Sequence, residues 1–268
     1  MATTGDAGDG GARAADAVPA PGAMRPLRDA RLAFQFLTRL PVGSGAMAGA
    51  DLGRSCAWFP LPGAVMGLLV AAGSWLVGPH LPPALVGVLA AAALAALSGA
   101  LHLDGVADVF DGLAGGRGDR ERTLAIMRDS RIGALGATAL VLVLLAKAAA
   151  LGDLVGRGEV WPVVVAPAVA RFAAVPLVVL FPYARPEGLG KAFHGTAGRR
   201  EIAVAAILTA AVIARFVPGA LAPCAAALAA AGGLALLVHR RLGGLTGDVY
   251  GACIELAELA FLVTACVR

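Results

Sequence analysis

Seven apolar runs, near residues 57–77, 83–103, 133–151, 160–181, 202–218, 219–238 and 249–267, leave this 268-residue chain little choice of solvent. A helix that crosses the hydrocarbon of a bilayer needs about 20 mainly apolar residues. Only helices and closed barrels satisfy every backbone polar group there. The apolar share of 59% and the charged share of 15% point the same way, since a soluble domain of this size needs more charge to cover its surface. We therefore expect an all-α, polytopic helical bundle with about seven transmembrane helices. Disorder throughout, a collagen-like chain and a disulfide-stapled secreted domain are excluded for the body of the chain.

Residues 1–24 are rich in Ala, Gly and Asp and lack an apolar stretch, so they read as a disordered tail and not as a secretory signal. Residues 25–268 read as a single membrane-embedded domain. Its first segment, 25–40, mixes Leu27, Leu32, Phe34, Phe36, Leu37 and Leu40 with Arg25, Arg28, Arg31 and Arg39, the pattern of a basic amphipathic helix on a membrane surface. Pro41 ends it. Pro218–Gly219 reads as a tight hairpin between the fifth and sixth runs. With the N-terminus in the cytoplasm, seventeen of the 22 basic residues fall in cytoplasmic segments and two outside. This is the positive-inside bias, and it explains the net charge of +4 without nucleic acid. Cys56, Cys224, Cys253 and Cys266 lack metal-ligand spacing and read as small buried hydrophobes.

The cytoplasmic segments carry the chemistry. In 101–133, Asp104, Asp108 and Asp111 fall on one face of a helix with no Lys between them. Carboxylates so placed repel one another and call for a cation, and Mg²⁺ takes carboxylate and phosphate oxygens together. Gly112, Gly115, Gly116 and Gly118 follow with Arg117, Arg120 and Arg122, a composition suited to phosphate. Arg128 and Arg131 flank Asp129 just before the third run. A last polar segment, 243–258, holds Thr246, Gly247 and Asp248, then Glu255 and Glu258 inside the seventh run. Acids at membrane depth are functional or paired, and Lys147, Arg171 and Arg215 are available partners. His102, beside the acid cluster, reads as a structural residue. His80, His194 and His239 lack metal spacing. The residues describe phosphoryl or diphosphate chemistry at the cytoplasmic face, without a Walker loop.

Five segments carry a resemblance: FLTRLPVG at 36–43, HLDGVADVFDGLAGG at 102–116, RTLAIMRDSRIGALG at 122–136, FPYARPEGLG at 181–190 and GGLTGDVYGACIELAEL at 243–259. In order and content they resemble the cobalamin synthase family, the adenosylcobinamide-GDP ribazoletransferases. The resemblance implies that adenosylcobinamide-GDP is joined to α-ribazole or its 5′-phosphate, with release of GMP, giving adenosylcobalamin or its 5′-phosphate. It also implies Mg²⁺ as cofactor and the bacterial inner membrane as location. Carried over by motif, Asp104, Asp108 and Asp111 are the family's acidic residues, and Asp248 belongs to its second motif. The chemistry of displacing GMP then suggests the roles: Mg²⁺ on Asp104, Asp108 and Asp111, substrate held by Arg117, Arg128, Arg131, Thr246 and Gly247, and Asp108 or Asp248 accepting the hydroxyl proton. Two other classes are weighed against this. A CDP-alcohol or prenyl-diphosphate transferase also places Asp clusters at helix ends, but Asp108 stands where the former has Arg. An ion-coupled transporter would use Lys147, Arg171, Glu255 and Glu258 as a path, and the internal repeat common in transporters is lacking.

Overall fold

The computed structural model describes residues 26–43, 49–216 and 220–267. The tail, the Pro218–Gly219 hairpin and Arg25 lie outside the described residues. Helices follow in the order α1 (Pro26–Leu37), α2 (Gly49–Ser55), α3 (Pro60–Val77), α4 (Pro83–Ser98), α5 (Leu101–Gly115), α6 (Arg120–Ile126), α7 (Ala134–Gly156), α8 (Trp161–Leu180), α9 (Arg199–Phe216), α10 (Leu221–Leu242) and α11 (Gly247–Ala265). Among the described residues the only extended pairing is an isolated bridge between Tyr183 and Leu245.

Among the described residues each of the seven apolar runs is mainly helical, yet they are not seven equal spans. Pro60–His80, Ala134–Gly156, Trp161–Leu180 and Leu221–Leu242 are long and apolar enough to cross a membrane. The runs of α9 and α11 are long enough but carry more charge: Arg199, Arg200, Glu201 and Arg215 in one, Asp248, Glu255 and Glu258 in the other. The run at 83–103 is broken. α4 and α5 meet at 93°, because Gly99 (φ 64°) and Ala100 (φ 57°) are both left-handed. Gly99 N–H donates to Ala96 O (3.1 Å) and Ala100 N–H to Ala95 O (2.8 Å), which satisfies the last carbonyls of α4 and stops it. Hydropathy is blind to this stop, since Gly99 and Ala100 are as apolar as their neighbours. The consequence for function is that the run is two helices, α4 ending at Ser98 and α5 turning away from it.

α8 and α11 form the centre. α11 packs on α5, α7, α8 and α10, and α8 packs on α3, α9, α10 and α11. The periphery is apolar as well: Trp75, Leu76, Leu142, Leu145 and Ile207 all face outward. Such a surface needs lipid around it. The close approach of α3 to α8 depends on Gly63 and Gly67. A Cβ on Gly67 would sit 2.5 Å from the Val164 carbonyl oxygen. Small residues at helix crossings let backbones touch, which is how membrane helices associate. Gly67→Ala should therefore cost about 1–3 kcal/mol by overpacking. Gly73→Ala, in the same helix with no atom within 4 Å of the added carbon, should be neutral. Thermal denaturation of the two purified variants in detergent checks this pair; equal midpoints would refute it.

Candidate active site

The right-angle bend lays α5 across the start of α11. The two backbones touch at Gly105, where a Cβ would lie 2.4 Å from the Asp248 carbonyl oxygen. Asp104 and Asp108 on α5 are thereby carried to the N-terminal turn of α11, which holds Asp248. Thr246 caps that helix, accepting from the Val249 N–H at 3.4 Å, and its hydroxyl donates to Asp248 Oδ2 at 3.2 Å. An acid in the first turn is favoured by the helix dipole.

The 181–185 segment completes the site. Ala184 N–H donates to Leu245 O (2.8 Å) and Leu245 N–H to Pro182 O (2.9 Å), so this segment runs beside the 243–246 loop. Arg120 fastens both, donating to Leu242 O and Ala184 O at 2.8 Å each. Arg185 is thus aimed at Asp248, with its guanidinium 2.8 Å from Oδ2. Tyr183 places its hydroxyl against the backbone N–H groups of Gly190 and Gly247. Reading the residues for chemistry gave Arg185 and Tyr183 no role, although both lie in a motif of the resemblance. An Arg and a Tyr in a Pro- and Gly-rich loop were the available signal.

The carboxylates outnumber the cation among them. Burial, with Asp104, Asp248 and then Asp111 as like charges, pushes Asp108 up to about 7, against the opposing pull of Arg185. Such a set suits a hard divalent cation. Among the described residues, however, no three His, Cys, Asp or Glu side chains converge as a ready metal site. Asp111 is the reason the expected trio does not close. Its two oxygens accept the backbone N–H of Gly133 (2.7 Å) and Gly136 (2.8 Å), capping the start of α7. The fit to Mg²⁺ is therefore that of an ion held by one or two carboxylates, with phosphate and water as its other ligands. Asp104 and Asp108 have the right donor oxygens for it.

The predicted arginines stand apart from this group. Arg117 is exposed in the turn after α5 with φ 51°. Arg128 is exposed beyond α6. Arg131 pairs with Asp129 at 2.6 Å on the surface, and that hydrogen-bonded pairing holds the Asp129 carboxyl down to about 2. Arg131 lines an open hollow with Asp111 and Gly133, away from Asp248. Gly247 and Asp248 lie beside Asp104, and Thr246 joins them through its hydrogen bond to Asp248.

Beside Asp104, Arg185, Gly247 and Asp248 opens a cavity of about 220 Å³. Its other walls include Phe36, Phe59, Phe193, Tyr250 and His102. On the far side of His102 lies a buried ionic network. Lys147 sits 2.7 Å from both Glu255 and Glu258, and Arg171 sits 2.6 Å from Glu258. All four are at most 5% exposed. Two cations and two anions on α7, α8 and α11 thus neutralise one another. Arg215, also weighed as a partner, is exposed and lies 5.4 Å from the Phe216 ring.

Comparison with known proteins follows the same boundaries. A family model described as Cobalamin-5-phosphate synthase matches residues 29–266. Several curated proteins named adenosylcobinamide-GDP ribazoletransferase are similar to the chain. That of Geotalea daltonii is 44% identical over 238 residues, covering 87% of this chain and 94% of the relative. One from Pseudomonas aeruginosa is 45% identical over 251 residues, covering 88% and 97%. One from Pseudomonas putida is 43% identical over 236 residues, covering 87% and 95%. No solved structure matches.

Proposed function

The chain belongs to the cobalamin-5-phosphate synthase family, and from that premise we propose that it joins adenosylcobinamide-GDP to α-ribazole or its 5′-phosphate at the cytoplasmic face of a bacterial inner membrane. GMP leaves, and the product is adenosylcobalamin or its 5′-phosphate. The observation that carries this reading is that Asp104, Asp248 and Arg185 line one cavity, with Asp108 one helical turn from Asp104 and under the influence of all three charges, on segments the family match spans.

The reaction attacks a diphosphate with a ribose hydroxyl. Catalysis of such a transfer is mostly positioning and charge neutralisation. Asp104 and Asp108 would hold Mg²⁺, which when bound neutralises the diphosphate. Arg185 would exchange Asp248 for a phosphate oxygen as the donor arrives. That exchange releases Asp248 Oδ2, and Asp248, which lines the cavity, would accept the hydroxyl proton. Thr246 keeps it in place through the 3.2 Å hydrogen bond. Arg117 and Arg128, exposed and apart from the carboxylates, take no part in this step. Asp111 acts through structure, fixing the start of α7 against α5.

The test of the reaction is direct. Purified protein in a bilayer, given adenosylcobinamide-GDP, α-ribazole and Mg²⁺, should release GMP and form adenosylcobalamin. Absence of product from well-inserted protein would overturn the reading. The orientation has its own test, motivated by the basic asymmetry. Cysteines introduced in place of the exposed Ser130 and Glu187 should react with an impermeant thiol reagent only after bacterial cells are opened. Labelling in intact cells would place these loops outside.

A further inference from the structure

Two features of the cavity beside Asp104 and Asp248 narrow what it can hold. The first is size. At about 220 Å³ it is smaller than the roughly 300–1,000 Å³ typical of sites for drug-sized ligands. A corrin macrocycle does not enter such a space, whereas a single nucleoside does. The second is that its wall is of two kinds. Asp104, Asp248 and Arg185 form a charged part. Phe36, Phe59 and Phe193 form an aromatic part, with ring centroids 4.8–6.2 Å apart.

Two tyrosines of the wall, Tyr183 and Tyr250, are tied together through His194, the residue next to Phe193. The Tyr250 hydroxyl is 2.8 Å from His194 Nε2, and the Tyr183 ring lies 5.4 Å from the His194 ring. His102 adds a polar ring to the wall. It is 2% exposed, and its Nδ1 has no hydrogen-bond partner among the described residues. A flat aromatic base gains stacking and burial against such a surface. A ribose attached to that base would then face the carboxylates.

We propose that this cavity is the acceptor subsite. It takes the aromatic nitrogen heterocycle of the ribazole against the face that the packed Phe36, Phe59 and Phe193 rings present to it and offers the ribose hydroxyl to Asp104 and Asp248. The corrin-bearing donor stays outside and brings only its diphosphate to Arg185. Phe36, Phe59 and Phe193 are then the residues that set which base is accepted. This assignment rests on the transferase reading above.

The experiment uses full-length protein in nanodiscs, with equilibrium binding of α-ribazole alone and steady-state kinetics in which each substrate is varied. Wild-type protein should bind α-ribazole without donor. Phe193→Ala should raise the KM for α-ribazole by about tenfold or more, the scale of a lost buried aromatic contact. The KM for adenosylcobinamide-GDP should stay within about twofold of wild type, on the same affinity scale. Phe193→Leu and Phe36→Leu keep apolar volume but lose the flat ring. They should shift the same constant in the same direction by less, and they carry the test if the alanine variant does not insert. A rise in the donor KM instead, or an unchanged α-ribazole KM in all three variants, would overturn the subsite while leaving the transferase reading standing. If wild-type protein forms no cobalamin product at all, the reading falls and the subsite with it.

Discussion

Asp104→Asn and Asp108→Asn should each lower ribazole transfer by on the order of a hundredfold or more, the loss expected when a metal that supplies several kcal/mol of transition-state stabilisation is displaced. Asparagine keeps the shape but removes one negative charge. If affinity for Mg²⁺ is what suffers, raising its concentration should restore part of the rate. Asp111→Asn should behave differently. Both its oxygens hold N–H groups at the start of α7. An amide can accept with one oxygen only, so one N–H is orphaned at a cost of about 1–2 kcal/mol. Its melting temperature should fall while the Mg²⁺ dependence of its residual rate stays that of wild type. The measurement is transfer against Mg²⁺ concentration, with thermal denaturation alongside. Near wild-type rates and unchanged Mg²⁺ midpoints for Asp104→Asn and Asp108→Asn would remove the metal assignment, and the carboxylates would then be a solvated helix end.

The largest loss of stability should come from Glu258. Its carboxylate meets both Lys147 at 2.7 Å and Arg171 at 2.6 Å with its side chain 1% exposed. Glu258→Gln leaves two buried cations facing Glu255 alone. Removing one member of a buried pair typically costs about 3–5 kcal/mol, because the remaining charge is uncompensated. Lys147→Met should be similar, since it strands Glu255. The double variant Lys147→Met with Glu255→Met keeps the Arg171–Glu258 pair and removes one charge of each sign. It should be more stable than Lys147→Met alone, a non-additivity expected of contacting residues. Melting temperatures in nanodiscs measure all three. A set of single variants as stable as wild type would show that the network does not hold α7, α8 and α11 together.

That network illustrates where sequence reading succeeds and stops. Glu255 and Glu258 stand out in an apolar run, and Lys147 and Arg171 are obvious candidates to meet them. Arg215 looked equally suitable, but it lies at the exposed end of α9. Spacing along one helix shows which face a residue is on, and nothing about which helix faces it. Asp111 is a second case. Its phase matches Asp104 and Asp108, so periodicity groups the three. The N-terminus of α7, 22 residues downstream, then claims it. Arg185 is the reverse case: Glu187 is its acidic neighbour in sequence, yet it meets Asp248 across 63 residues, a pairing created by the bridge between Tyr183 and Leu245.

The chain by itself determined the solvent of the fold. Runs of about 20 apolar residues point to a helical membrane bundle, the uneven spread of basic residues is the basis of the proposed orientation, and the acidic motifs mark the family. Those are properties of composition and local period, which survive in any packing. The tertiary structure decided the rest: the right-angle break at Gly99 and Ala100, the crossing at Gly105 that brings α5 onto α11, the capture of Asp111 by α7, the aim of Arg185 and the aromatic cavity behind Asp248. Each of these depends on backbone contact between elements distant in sequence, and such contacts are set by shape and by whichever polar partner lies nearest once the helices have packed.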